Sequence, residues 1–174
     1  MITIQDNFLP KEPYNIVKQY YTGLHFPWHF QTTINRQEGE VDCLNNFQLG
    51  NELFSAQDIG PRSEHIKHLV PLLAKMPIYF LLRAKINLNP RCSENWISGM
   101  HTDTAGLDTT TSIYYLNTCN GGTIFKNGDK VDQVGNRLVT FPSTTGHAGI
   151  MATDVKARFV VNINYIPQAL PETT

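Results

Sequence analysis

Apolar and polar residues change their rhythm about halfway along this chain. Between positions 10 and 21, Tyr14, Val17, Lys18 and Tyr21 recur at intervals of three and four, the spacing of one helix face. The same interval returns at Ile66, Leu69, Val70 and Leu73. It predicts a second helix over 62–75, with Ser63 as a candidate cap and Pro77 as the stop. Residues 2–9 alternate weakly and read as a short strand that breaks at Leu9-Pro10. Residues 24–58 are mixed, with strand-like fragments after the aromatic stretch at 25–30.

From Ile78 onward the strand pattern takes over. Residues 78–88 begin as a continuous apolar run and end in alternation. Segments 110–116, 122–125, 129–134, 137–141 and 158–166 follow, each short, rich in β-branched and aromatic residues, and bounded by Asn, Gly, Pro or Asp. Asn127-Gly128 reads as a two-residue hairpin turn. Many short strands behind two helices predict a mainly β fold, closed or sandwich-like, with helices packed on one side. A parallel α/β arrangement is disfavoured, because no helix of useful length separates the later strands. No linker composition divides the chain, so 1–174 reads as one domain, with helical and strand support over 1–77 and a barrel core over about 78–166.

Composition then removes several function classes. The chain has 174 residues, 41% hydrophobic and 17% charged, which suits a folded domain with a buried core. A formal net charge of -1 supplies no basic face for nucleic acid. Cys43, Cys92 and Cys119 form no CxxC pair and read as reduced thiols. With no secretory-type start and no apolar run of membrane-spanning length, the expected setting is cytoplasmic and away from membranes.

The candidate chemistry begins at His101-Thr102-Asp103. In an extended segment, residues two apart project to one face, so imidazole and carboxylate can reach one ion. His147 follows the 137–141 strand and a turn. Two histidines and a carboxylate make a facial triad that leaves coordination positions open, as in non-haem iron(II) oxygenases; a surface His-x-Asp pair is the plain alternative. Arg158 stands at the head of an apolar strand, where pointing inward is costly unless an anion meets it; the alternative is a guanidinium that reaches back to water. Asn162 and Asn164 share its face by alternation, and either border the metal or substrate or serve the strand register. His65 and His68 read as a solvated helix face, His25 and His29 as loop packing. Trp96 either covers a substrate or fills a core. Neither a phosphate-binding glycine loop nor an H-E-x-x-H helix is present.

Six ordered elements carry a resemblance: His101-Thr102-Asp103, Thr111-Ser112-Ile113-Tyr114-Tyr115-Leu116-Asn117, Gly121-Gly122, Gly135-Asn136-Arg137-Leu138-Val139-Thr140-Phe141, His147-Ala148-Gly149 and Arg158-Phe159. Over roughly 78–166 the chain resembles the iron(II)/2-oxoglutarate-dependent oxygenases, in their prolyl-4-hydroxylase-like branch. Asp6-Asn7-Phe8-Leu9-Pro10 resembles the start of such proteins. The resemblance implies a double-stranded β-helix, also called a jelly-roll or cupin-like barrel. It implies His101, Asp103 and His147 as iron ligands, Arg158 and Tyr115 on the distal carboxylate of 2-oxoglutarate, and Ile113 lining that pocket.

The activity implied is a dioxygenase that hydroxylates a peptidyl prolyl or related residue, or a free small molecule, and releases succinate and CO2. Ascorbate is an accessory candidate, and dioxygen a second substrate. Two departures bear on substrate choice: Thr123-Ile124 follows the double glycine where many relatives place an acidic residue and threonine, and Asn89 precedes Pro90 where they often place tyrosine. With no arginine after Arg158, repair of nucleic-acid bases is disfavoured. A catalytically silent metal- or ligand-binding barrel and a hydrolytic zinc site are the other readings. The loops at 31–60 and 89–100 are expected to set selectivity. Oligomeric state is not legible.

Overall fold

The computed structural model describes residues 1–34, 46–58, 60–103 and 108–169. Cys43 and part of the 31–60 selectivity segment lie outside the described residues. In chain order the elements are β1 (Thr3–Gln5), α1 (Lys11–Thr22), β2 (His29–Gln31), β3 (Gln48–Ser55), β4 (Gly60–Pro61), a 3-10 turn (Glu64–Leu69) running into α2 (Val70–Leu73), then β5 (Ile78–Pro90), β6 (Thr110–Tyr115), β7 (Gly122–Phe125), β8 (Lys130–Asp132), β9 (Arg137–Pro142), β10 (His147–Ile150) and β11 (Ala157–Pro167).

The strands form two antiparallel sheets. The large one runs β1-β9-β6-β11-β5-β3-β2, with β4 on β3; the small one runs β10-β7-β8. Together they make the expected jelly-roll. β11 lies at its centre, between β6 and β5, with Arg158 opposite Asn89 and Asn164 opposite Arg83.

Alternation along these strands builds two apolar layers. Ile86, Tyr114, Leu138, Val161 and Ile163 leave the large sheet on its outer face and pack with Val17 and Tyr21 of α1 and Leu69 and Leu72 of the second helical segment. Ile113, Tyr115, Val139, Phe141 and Val160 leave on the inner face and meet Phe125 and Val131 of the small sheet. Period two in the strands is what lets one segment serve both layers. Among the described residues, no helix is long and apolar enough to cross a membrane.

Several sequence expectations need correction. Over 62–75 the chain is 3-10 for six residues before one short α-helical stretch. Pro71 has no N–H for the Lys67 carbonyl, which takes its bond from Val70 instead, and the turn tightens. The tighter winding buries Leu72 completely and leaves Val70 54% exposed.

The hairpin at Asn127-Gly128 has a three-residue loop. Gly128 sits at φ 92°, and Phe125 bonds both Gly128 and Asp129, the pattern of a turn followed by a left-handed bulge residue. β10 and the full length of β3 were not anticipated, because β10 holds two small residues and β3 is mostly polar. His65 and His68 are also not a solvated face. His65 Nδ1 is hydrogen-bonded to the Tyr20 hydroxyl, and the His68 ring stacks on Tyr20 at 3.5 Å. His25 and His29 are exposed, whereas Phe26 and Trp28 between them do the packing.

The N-terminal segment is tied down by Asn136, which sits at φ 67°. Its Oδ1 accepts from Leu9 N–H at 2.9 Å and from the Tyr114 hydroxyl at 2.7 Å, while its Nδ2 donates to the Leu9 carbonyl at 2.8 Å. Asparagine tolerates the left-handed backbone and supplies both donor and acceptor. Asn136→Ala is expected to cost about 3 kcal/mol in urea unfolding, since it orphans buried partners as well as losing bonds. A loss below about 1 kcal/mol would mean that the clasp contributes little.

Candidate active site

His101 and His147 face each other through a reciprocal backbone bridge. His101 N–H bonds the His147 carbonyl at 3.0 Å, and His147 N–H bonds the His101 carbonyl at 2.9 Å. The pairing fixes both rings on one side, with centroids 4.4 Å apart. Asp103 N–H bonds the Ser143 carbonyl at 3.1 Å, which turns its carboxylate back towards the rings. Asp103 Oδ1 is 3.6 Å from His101 Nε2, and Oδ2 is 3.8 Å from His147 Nε2.

The donor chemistry of this set suits a metal ion. Nδ1 of His101 is 3.3 Å from the Gly99 carbonyl, and Nδ1 of His147 is 3.0 Å from the Thr145 carbonyl. A carbonyl only accepts, so each Nδ1 carries the proton and each Nε2 is left as the ligating nitrogen. Burial lowers the pKa of His147 against the charge of Asp103, which favours the neutral imidazole that a metal needs. One ligand atom from each of the three residues fits a group within 4.8 Å.

Asp103 is held from behind. Its Oδ2 accepts from Thr111 Oγ1 at 2.6 Å and from Asn164 Nδ2 at 3.1 Å. Burial would raise its pKa, but the hydrogen bond from His101, the charge of His147 and the Thr111 hydroxyl outweigh that and bring it to about 2. A depressed carboxyl contributes stability that is complete above the ordinary carboxylate range and is lost as pH falls towards the folded value.

The other end of the site is a guanidinium without a counter-charge. Arg158 is 4% exposed. One terminal nitrogen donates to Asn89 Oδ1 at 3.1 Å and the other to the Gly122 carbonyl at 3.0 Å, while Nε is buried with no partner among the described residues. Among the described residues it forms no ion pair, and burial lowers its pKa. The double glycine beside it is steric: a Cβ on Gly121 would lie 2.5 Å from the Ile150 carbonyl and 3.3 Å from Arg158 Cδ.

A cavity of about 280 Å³ joins the two ends. His101, Asp103, His147, Arg158, Ile113 and Asn162 all line it. Tyr115 and Asn164 stand one layer back. The buried Tyr115 hydroxyl meets Thr123 Oγ1 at 2.7 Å, and Thr123 is the one that lines the cavity. Asn164 lies behind Asp103 and also donates to Thr111 at 2.9 Å. Trp96 packs with Ile34, Cys92 and Met151 behind the cavity wall, to which Ile34 and Met151 belong.

Several wall residues were missed in the sequence: Thr123, and the polar series Arg83, Lys85, Asn87 and Asn89 on β5. The alternation at 84–89 held the signal for that series, because every second residue there is polar.

No family model matches the chain, and no curated protein does either. Solved structures do. A prolyl hydroxylase from Trichoplax adhaerens, in complex with a hypoxia-inducible-factor oxygen-degradation-domain peptide fragment, superposes with TM-score 0.61 at 21% identity, over 95% of this chain and 83% of that one. A Pseudomonas putida prolyl-4-hydroxylase gives 0.60 at 13%, over 97% and 92%. The epimerase SnoN of nogalamycin biosynthesis, in complex with Fe3+, alpha-ketoglutarate and nogalamycin RO, gives 0.61 at 11%, over 99% and 86%.

The chain has their fold. At these identities the likeness is one of architecture, and the chemistry has to be argued from the side chains.

Removing the hydroxyl behind Asp103 tests the electrostatics directly. Thr111→Val is expected to raise the Asp103 pKa, read from the carboxyl carbon in an NMR titration of metal-free protein. An unmoved titration would show that the 2.6 Å contact carries no weight.

Proposed function

We propose that the chain is an iron(II)- and 2-oxoglutarate-dependent dioxygenase. The observation that carries this reading is the Arg158 guanidinium, buried without a counter-charge at one end of a cavity whose other end holds two imidazoles and a carboxylate. A silent barrel or a zinc hydrolase has no use for that cation, and burying it uncompensated is costly. A dicarboxylic keto acid answers both ends at once. Its far carboxylate meets Arg158, and its keto-acid end meets the metal.

His101, Asp103 and His147 would hold the ion as three protein ligands on one face, leaving positions for co-substrate and dioxygen. When bound, ferrous iron and 2-oxoglutarate supply the oxidising chemistry, with succinate and CO2 as co-products; ascorbate serves as an accessory reductant. Arg158 orients the distal carboxylate. Thr123 adds a hydroxyl to it, and Tyr115, kept protonated by burial, donates to Thr123 from behind. Ile113 and Val160 exclude water between the two ends. Thr111 and Asn164 keep Asp103 ionised and aimed.

Residues 1–174 act as one oxygenase domain in this reading, with 1–77 bracing the outer face of the sheet and 78–166 forming the barrel. Hydroxylation of a peptidyl prolyl residue follows from the family resemblance. Hydroxylation of a free small molecule is favoured by the polar cavity wall. The buried thiols of Cys92 and Cys119 suit a cytoplasmic setting.

The test is succinate release from 2-oxoglutarate with ferrous iron, dioxygen and ascorbate. Arg158→Ala is expected to weaken 2-oxoglutarate binding about 100-fold, the scale of a lost charged pair, with metal binding retained. Thr111→Val is expected to weaken Co2+ binding, followed by its visible absorption, by about 10-fold or more. Equal 2-oxoglutarate affinity in wild type and Arg158→Ala would remove the oxygenase reading.

A further inference from the structure

The inner face of β5 carries a second polar set at a different level of the barrel from Arg158. Asn89 lies opposite Arg158, Asn87 opposite Val160, Lys85 opposite Asn162 and Arg83 opposite Asn164. All four β5 side chains line the cavity. Two of them are committed elsewhere: Asn89 to Arg158 and Gln48, and Arg83 to Glu52 at 2.6 Å. The middle pair has no charged partner among the described residues.

Lys85 is 9% exposed, and its ammonium donates to the neutral Gln31 Oε1 at 2.8 Å. Among the described residues it makes no ion pair. Asn87 Oδ1 is buried with no hydrogen-bond partner among the described residues. On the neighbouring strand Gly50 keeps the space beside both groups open, since a Cβ there would lie 3.0 Å from Lys85 Cε and 3.1 Å from Asn87 Oδ1. Burial, and then repulsion from Arg83, push the Lys85 pKa down to about 8 against the pull of Glu52. At neutral pH the chain therefore carries a desolvated cation and an orphaned acceptor next to each other, and both point into the cavity.

In the oxygenase reading the co-substrate is answered at its two ends by Arg158 and the triad, and Lys85 lies four residues along β5 from Asn89, the partner of Arg158. Lys85 sits instead at the level of Asn162, one step from Asn164 and the Asp103 carboxylate it holds. A molecule bound there lies beside the triad.

We propose that Lys85 and Asn87 form the prime-substrate subsite, and that the substrate is a small free carboxylic acid bearing an N–H or O–H donor, of the amino-acid or hydroxy-acid class. The proposal rests on the oxygenase reading above and names the substrate that reading leaves open. Its carboxylate would give the Lys85 ammonium the counter-charge that Gln31 does not supply, and its donor would meet Asn87 Oδ1, so one ligand answers both groups. An interior residue of a peptide offers the donor but no main-chain carboxylate.

The experiment uses full-length protein labelled with [ε-13C]lysine, loaded with Zn2+ and 2-oxoglutarate, with the Lys85 resonance assigned by its loss in Lys85→Met. The probes are the free L-amino acids, L-lactate and L-malate, their carboxamides, and N-acetyl-Gly-Pro-Gly-amide. At least one free acid is expected to move the Lys85 resonance saturably. Its carboxamide should bind about ten-fold more weakly, and the capped peptide should leave the resonance in place. Lys85→Met and Lys85→Gln should weaken the acid about ten-fold or more while leaving 2-oxoglutarate affinity unchanged, which also reports an intact fold.

The proposal is overturned if no free acid moves the resonance, if carboxamide or peptide binds as well as the acid, or if the Lys85 variants lose 2-oxoglutarate itself. Failure of 2-oxoglutarate to bind wild type would instead remove the oxygenase reading, while acid binding at Lys85 would still be read from its own resonance.

Discussion

A guanidinium taken out of water needs either a carboxylate partner or a set of well-placed acceptors, and among the described residues Arg158 meets two neutral oxygens. Much of the barrel is arranged to keep it there. The double glycine gives its stem room to pass, Asn89 and the Gly122 carbonyl fix its plane, and the apolar layer of Ile113 and Val160 seals it from solvent. Nothing in the packing alone calls for a positive charge at that point. In the reading proposed above the demand comes from a ligand, and both Arg158 and the His-Asp-His group line the cavity that would hold it.

β11 acts as the ruler for the whole site. With side chains alternating about every 3.3 Å, Arg158, Val160, Asn162 and Asn164 mark successive levels inside the barrel. Arg158 would serve the anion in the proposed reading, Val160 lines the cavity beyond it, and Asn164 holds the carboxylate of Asp103. β5 runs antiparallel beside it and marks the same levels with Asn89, Asn87, Lys85 and Arg83. The outward residues of both strands, such as Val161 and Ile86, anchor the helical layer, so the spacing of the site is set by the same registers that build the core.

How much of this was legible in the sequence depended on whether a local pattern sufficed. The later strands, the first helix and the triad residues could be read because period, turn residues and ordered motifs all lie within short windows. The second helical segment was misread because the decisive event, the missing N–H of Pro71, acts on a carbonyl four residues earlier while the apolar spacing still looks helical. Thr123 was passed over as a departure from the family pattern. Its place in front of Tyr115 depends on the pairing of β7 with β10 and on the cross-sheet contact, which no single segment encodes. Lys85 and Asn87 were visible as polar positions in an alternating strand, but only the register against β11 shows which face is inside. Folded context also settled Trp96, which packs under a loop with Met151 and Cys92.

The backbone bridge between His101 and His147 has a further consequence for mechanics. It joins the segment that leads towards β6 of the large sheet to the first residue of β10 in the small one, through a hydrogen bond in each direction. An ion gripped by both rings and by Asp103 would act as a rivet through that seam. The mouth of the barrel would then be stiffest when loaded and most willing to part when stripped, so filling the site and holding the two sheets together become the same event.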